Sequence, residues 1–121
     1  MKISCICVTR DRPERLKQAI ADYCRQTWAD KELLIVADGR GSDKLWLPGF
    51  LLGLGRLDIH LCLAPPVEHY SRLKNIALTM ATGDVFCLWD DDDRYHPKRL
   101  ELQLADMQAK NSDVSYLGEH L

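Results

Sequence analysis

The sequence predicts an α/β fold, a three-layer α/β/α arrangement around a mostly parallel sheet, and three observations predict it. Short apolar, β-branched runs alternate with segments of helical periodicity along most of the chain. Polar clusters sit at the carboxyl ends of three of those runs, at Thr9-Arg10, Asp38-Gly39 and Asp90 to Asp93. No linker, internal repeat or low-complexity tract interrupts the 121 residues, so a single domain over 1–121 is expected. Strands that alternate with helices imply right-handed crossovers and parallel neighbours.

The elements run in order along the chain. Ile3 to Val8 reads as a buried strand closed by polar residues. Pro13 suits the first turn of a helix, where a missing N–H has no partner to lose. Leu16, Ala19, Ile20, Tyr23 and Cys24 recur at helical spacing, which predicts a helix over 13–26. Glu32 to Ala37 is the second strand, stopped at Asp38-Gly39. The stretch Leu45 to Leu57 is apolar but broken by Pro48, Gly49, Gly53 and Gly55, and is assigned to core or an irregular connection. The competing reading is a surface patch that touches lipid or a partner. It falls far short of the ~20 residues that span a bilayer, so no transmembrane segment is expected. Asp58 to Leu63 is the third strand, ended by Pro65-Pro66. Tyr70 to Met80 carries a helical pattern through Leu73, Ala77 and Met80, with Gly83 as its stop. Asp84 to Trp89 is the fourth strand. Pro97 opens another helix with Leu100, Leu104 and Met107 on one face, and Asp113 to Leu117 reads as a last strand.

Composition narrows the function classes. Hydrophobic residues make up 46% of the chain and charged residues 28%, a balance that builds a core and argues against disorder. Sixteen Lys and Arg against 18 Asp and Glu leave a net charge of −2, with no bulk attraction for nucleic acid. Five cysteines form an odd set without framework spacing, which points to reduced thiols in a cytoplasmic setting. Cys5 and Cys7 lie inside an apolar run and read as small buried hydrophobes rather than a metal pair. The N-terminal apolar run, Ile3 to Val8, is too short for a signal peptide.

Asp90, Asp91, Asp92 and Asp93 carry the chemistry. Four consecutive carboxylates repel one another at a cost that a cation or strong donors would offset. Hard divalent cations take oxygen ligands, commonly one or two carboxylates completed by phosphates and water, so a nucleoside diphosphate is the natural partner. Arg72, Lys74 and Arg94 are candidates to neutralise it. A solvated acidic loop is the alternative for any charge run; the position directly after Val85 to Trp89 and just before Pro97 favours a site. A calcium loop over Asp90 to Glu101 fails, because Tyr95 stands where glycine is required and Arg94 brings the wrong charge. An aspartyl-phosphate enzyme would place its paired Asp residues after the first strand, where Thr9 and Arg10 stand instead.

Five segments, in order, resemble glycosyltransferase family 2. Ile3 to Pro13 is similar to that family's opening strand and its Pro-Thr-Tyr-Asn-Arg turn, and Arg25-Gln26-Thr27-Trp28 to the Gln-Thr-Tyr that closes its first helix. Leu34 to Gly39 is similar to its Val-Asp-Asp-Gly-Ser strand end. Lys74-Asn75 with Ala81-Thr82-Gly83-Asp84 resembles its Arg-Asn helix and Ala-Thr-Gly-Asp turn, and Asp90 to Pro97 its metal loop. The resemblance implies the nucleotide-diphospho-sugar transferase (GT-A) fold and transfer of a sugar from a UDP- or GDP-sugar to an acceptor that the sequence does not name. It places Thr9, Arg10 and Asp38 around the nucleotide, Lys74 and Asn75 near the diphosphate, and Mn²⁺ or Mg²⁺ on the Asp-x-Asp of Asp90 to Asp92. Asp92 is then the most direct metal ligand, with Asp90 and Asp91 sharing ribose and metal contacts. Asp93 and His96 are secondary candidates, and His96 is first a packing or capping residue.

The chain departs from the family pattern at several positions. Arg10 stands at the aromatic base-stacking position, Ala37 replaces the first Asp of Asp-Asp-Gly, and Arg40 replaces a Ser. The resemblance also implies a catalytic base and an acceptor subsite beyond residue 121. Glu68, Glu101 and Glu119 have no supporting context as substitutes, so the catalytic residue is unassigned and the chain reads as truncated or naturally short. The alternative to an active transferase is a transfer-incompetent nucleotide-sugar-binding or interaction module. In that reading Leu45 to Leu57 and an exposed sheet edge meet a partner or a second copy.

Overall fold

A computed structural model describes residues 1–65, 69 and 71–110 of the chain. Four strands and four helices alternate: β1 (Ile3–Thr9), α1 (Pro13–Cys24), β2 (Lys31–Asp38), α2 (Asp43–Leu54), β3 (Ile59–Ala64), α3 (Ser71–Met80), β4 (Val85–Leu88) and α4 (Arg99–Lys110). The strands form one parallel sheet in the order β3-β2-β1-β4, with Cys5 opposite Leu33 on one side and Cys87 on the other. The expected α/β class and parallel sheet are therefore correct. Asp113 to Leu117, expected as a last strand, lies outside the described residues.

The order of the strands decides where the helices go. From β1 to β2 to β3 the chain steps outward in one direction, and from β3 to β4 it returns past β1. Right-handed crossovers then put α1 and α2 on one face and α3 on the other, as the packing shows. Leu16, Ala19, Ile20 and Tyr23 of α1, Leu47 of α2, and Leu100 and Leu104 of α4 pack over Cys5, Cys7, Leu33 and Ile35. Leu73 and Ala77 of α3 pack over Ile6, Val8 and Val36 on the opposite face. β1 and β2 are buried along their full lengths, which explains why they read as unbroken apolar runs rather than alternating ones. Each fully buried Leu or Ile contributes about 1.5–3 kcal/mol, so this double-sided core is the main source of stability. Among the described residues no helix is long and apolar enough to cross a membrane.

Two expectations need correction. The Leu45–Leu57 stretch is not an irregular connection: most of it is α2, and one side of it does reach the core. Leu47 is fully buried and Trp46, Phe50 and Leu51 pack against the core, while Lys17 of α1 lies 5.2 Å from the Trp46 ring centroid. Tertiary packing thus holds a helix in spite of Pro48, whose missing N–H removes one bond of the ladder. Gly55 ends it in the left-handed conformation, at φ +64°.

Gly83 is the second correction, since it does not cap α3. It is where the α3–β4 turn lies against β1, its N–H donating to Ser4 Oγ at 2.8 Å. A Cβ there would lie 2.4 Å from Ser4 Oγ, 2.8 Å from Ser4 N and 2.9 Å from Lys2 O. The same turn is tied to Glu32, buried on β2, which accepts from Ser4 Oγ (2.6 Å), Thr82 N (2.7 Å) and Thr82 Oγ1 (3.0 Å). Burial alone would raise the Glu32 carboxyl, but these donors outweigh it and hold it below the usual range.

Gly83→Ala is expected to destabilise the chain by about 1–3 kcal/mol in urea denaturation, because two of the three clashing atoms are backbone and cannot turn away. A midpoint unchanged from wild type would show that the turn has room to shift.

Candidate functional site

Strand order reverses at β1, between β2 and β4. In open parallel sheets a crevice forms at such a switch point, outside the carboxyl ends of the strands. The last backbone bond of the pair runs from Trp89 N to Ile6 O at 2.7 Å, after which the two chains diverge. A side-chain bond then spans the gap: Thr9 Oγ1 donates to Asp91 Oδ2 at 2.8 Å, with Thr9 0% and Asp91 5% exposed. Two of the three polar strand ends, Thr9 after the first strand and Asp91 after the fourth, thus meet on one edge of the sheet.

The acidic loop is held by the residues on either side of it. Trp89, wholly buried, donates from Nε1 to the Ala19 carbonyl at 2.8 Å and stacks on Tyr95 with centroids 3.9 Å apart. The Arg99 guanidinium sits 4.5 Å from the Tyr95 ring centroid. Tyr95 OH returns to the Asp90 carbonyl at 3.1 Å, closing the loop on itself. Asp22 of α1 then takes the loop from below. It is buried and accepts from Tyr95 N (3.0 Å), Arg94 Nε (2.9 Å), Arg94 Nη2 (3.1 Å) and Arg25. Gln26 finishes the attachment, donating to the His96 carbonyl at 2.8 Å and accepting from Leu100 N at 3.1 Å, while Thr27 N donates to the Pro97 carbonyl at 2.8 Å. The Gln-Thr pair at the end of α1 is thus the dock for the start of α4.

The carboxylates occupy different environments. Burial pushes the Asp91 carboxyl above its ordinary range, with Asp92 and Asp90 adding to the rise and Thr9 and Arg12 opposing it. Asp92 is exposed at the lip, where the bond from Arg15 Nη1 at 2.8 Å and a second from Arg12 Nη1 hold it low. Arg12 Nη1 also lies 3.4 Å from Asp91 Oδ1, so one guanidinium bridges two neighbouring acids. The field of Asp90, with that of Asp91, reaches the fully buried Cys7 thiol, which burial already pushes up. Cys5 and Cys7 are buried, as expected of small hydrophobes. Among the described residues, no three acidic, histidine or cysteine side chains converge as a preformed metal cage.

The rim from β2 is a second charged layer. Asp38 accepts from Arg40 Nη2 at 2.9 Å and Arg40 N at 2.9 Å, which holds its carboxyl low. Arg10, exposed at the end of β1, adds its positive field to both Asp38 and Asp11. Asp11 adopts φ +52° and accepts from Ser42 N (2.6 Å) and Ser42 Oγ (2.7 Å), while its own N–H reaches Asp43 at 3.0 Å. An Asp tolerates that backbone because its short polar side chain bonds locally, and the bonds clip the β1–α1 turn to the start of α2.

Several sequence candidates fall elsewhere. Lys74 and Asn75 lie in the first turns of α3, and Arg72 near its start, at the carboxyl edge but across the sheet from α1; among the described residues none of the three is bonded to the acidic loop. Arg94, expected beside a diphosphate, turns instead to Asp22, because a buried carboxylate beneath it offers two acceptor oxygens. His96 behaves as a cap: its Nδ1 accepts from Lys98 N at 3.1 Å ahead of α4. Sequence reasoning missed Arg12, Arg15, Asp11 and Asp22. Only Asp22 left a signal, a carboxylate three residues after Ala19 on the apolar stripe of a helix.

Asp22→Ala is expected to cost about 1–3 kcal/mol, since Tyr95 N is left buried without an acceptor. Burial raises the Asp22 carboxyl, but Arg94, Tyr95 N and Arg25 hold it below its unfolded value. Its contribution is therefore complete above the ordinary carboxylate range and lost as pH falls through the folded value. Unfolding midpoints measured from pH 7 down to acid should show a flatter acid limb in Asp22→Ala than in wild type.

The likenesses to known proteins agree with this geometry. The model of glycosyl transferase family 2 matches residues 4–118. Protein CgeD of Bacillus subtilis (strain 168) is 29% identical over 114 residues, covering 90% of this chain and 27% of CgeD. Crystal structures of S. aureus TarS 1–349 superpose with TM-score 0.78 at 19% identity, covering 92% of this chain and 33% of that one. The complex of TarS 1–349 with UDP-GlcNAc gives the same TM-score, and that with UDP gives 0.73. The chain spans about a quarter to a third of the length of these relatives, and its likeness to TarS is one of fold. A family match over nearly all of its residues and a sheet that superposes on GT-A enzymes lead to one conclusion: the chain belongs to glycosyl transferase family 2.

Proposed function

We propose that this chain is the donor-binding part of a glycosyltransferase that takes a nucleotide-diphosphate sugar together with Mn²⁺ or Mg²⁺. The observation that carries the reading is the junction of Thr9, Asp91 and Asp92 at the strand switch point, where a buried carboxylate and an exposed one share a cationic partner. Family membership supports it, as does the fold shared with TarS, whose structures hold UDP and UDP-GlcNAc.

The donor set suits a hard cation. Carboxylate oxygens are the right chemistry, and phosphate oxygens and water would complete the shell of such an ion. Asp92 would be the most direct ligand, with Asp90 and Asp91 sharing the metal and ribose contacts. When bound, the ion supplies positive charge that holds the diphosphate and offsets the charge developing as it leaves. Thr9 keeps the Asp91 carboxylate in place through its hydroxyl bond. Arg10 offers a planar face to a base, where the family carries an aromatic ring. Asp38, steadied by Arg40, offers oxygen to a base or ribose donor from the β2 side. Lys74 and Asn75, at the near end of α3, would meet the diphosphate from the other face. In such a transfer an acceptor hydroxyl would attack the anomeric carbon in line, its proton passing to a base that is unassigned, with inversion as the nucleoside diphosphate leaves.

A second reading has its own observation. Leu45, Leu52 and Leu57 are 81%, 83% and 94% exposed on and just after α2, which favours an interaction module that binds donor without transferring it, including one that pairs with a second copy. Solution mass of the chain and of Leu52→Lys separates the two: a dimer that the substitution dissolves supports this reading.

Calorimetric titration of UDP and GDP, with and without Mn²⁺, tests the donor site. One of them should bind in a metal-dependent way, and Asp92→Ala should weaken that binding about tenfold or more, ~1.4 kcal/mol. Failure of both nucleotides to bind with Mn²⁺ present rejects the donor site.

A further inference from the structure

Arg12 and Arg15 reach the acidic loop from the start of α1, one just ahead of Pro13 and one just after it. Arg15 Nη1 donates to Asp92 Oδ1 at 2.8 Å, and Arg12 Nη1 is bonded to the same oxygen while lying 3.4 Å from Asp91 Oδ1. A single carboxylate oxygen therefore takes two guanidinium donors, and two positive charges stand on the pair of acids assigned to a divalent ion. Both arginine side chains remain accessible, at 49% and 62% exposure. Beside them an open groove of about 450 Å³ is lined by Asp11, Arg12, Pro13, Glu14 and Arg15.

Three properties of this cluster point one way. Guanidinium forks match phosphate oxygens as well as carboxylate oxygens, so the same side chains can serve either partner. The pairs of Arg12 and Arg15 with Asp92 are exposed on both sides and add little net stability, so exchanging them costs little, while the buried Asp91 keeps its bond from Thr9. The charge also balances: two guanidinium charges leave the carboxylates as one divalent ion arrives, and they match the two negative charges of a sugar nucleotide's diphosphate.

We propose that Arg12 and Arg15 are exchange ligands, neutralising Asp91 and Asp92 before the donor arrives and turning to its diphosphate oxygens once a divalent cation occupies those carboxylates. The proposal rests on the reading that Asp92 holds a cation for a nucleoside diphosphate. It adds that the acids and the arginines act as one device, in which the arginines oppose the metal alone and favour the metal with nucleotide.

That double role gives effects of opposite sign. Arg12→Ala, Arg15→Ala and the double variant would be titrated first with Mn²⁺ alone and then with UDP at saturating Mn²⁺, by calorimetry and with circular dichroism as the check on folding. Removing a competing guanidinium should tighten Mn²⁺ binding about three- to tenfold, whereas losing a phosphate contact should weaken UDP about tenfold. Arg15→Lys, which keeps the charge but not the fork, should leave Mn²⁺ close to wild type and weaken UDP by less than Arg15→Ala does. If the wild type binds UDP with Mn²⁺ and the alanine variants weaken both ligands, or leave either unchanged, the exchange is wrong and the donor site stands. If the wild type shows no Mn²⁺-dependent UDP binding, the donor site fails and the exchange fails with it.

Discussion

Mutual repulsion among Asp90, Asp91, Asp92 and Asp93 is the constraint around which this end of the molecule is built, and each restraint on the loop answers it. Trp89 anchors the strand end by stacking on Tyr95 and by its bond to the Ala19 carbonyl, so the loop starts from a fixed point. Asp22 fixes its far side through Arg94 and Tyr95 N. Gln26 and Thr27 tie the segment leading into α4 to the end of α1. With the backbone held on both flanks, the carboxylates cannot relieve their repulsion by unwinding the loop. The recourse left to them is a counter-charge, and Arg12 and Arg15 supply it.

The same arrangement explains why α1 matters beyond its share of core. Its apolar stripe packs on the sheet, Arg12 stands at its N-cap and Arg15 in its first turn, and its last turn carries Asp22 and leads into Gln26. One twelve-residue helix thus sets the height of the loop, its charge balance and the position of α4. β1 has the matching role in the sheet, since it pairs with both β2 and β4 and delivers Thr9 to the gap between them.

Much of this was legible in the sequence, for physical reasons that differ by element. β1, β2 and α1 carry dense, regular apolar patterns because they are buried on both faces or along one clear stripe, and their places were correct to within a few residues. α2 was not legible. Pro48 and three glycines argued against a helix, and the packing of Leu47, Trp46 and Phe50 that overrules Pro48, Gly49 and Gly53 is a tertiary effect. Gly83 showed as a breaker, but its true constraint is a side chain 79 positions away, whose Oγ its N–H meets at 2.8 Å and which leaves no room for a Cβ. In the site, Thr9 and the acidic loop were visible because strand-end positions follow from the topology. Arg12, Arg15 and the Asp22–Arg94 pair were not, since long side chains choose partners by proximity across elements, which no spacing rule encodes.

The placement of β1 between the two walls of the crevice has a consequence for motion. Seven residues of β1 pair with β2 and four with β4, so both walls are hydrogen-bonded to a single shared strand. Opening the crevice by swinging one wall about a hinge would break a run of ladder bonds in the middle of the sheet. The cleft is therefore stiff at the level of the backbone, and its adjustment falls to side chains at the rim. Turning a guanidinium takes nanoseconds or less when the group is exposed, so the rate at which such a site accepts a ligand would be set by encounter rather than by any slow closing step.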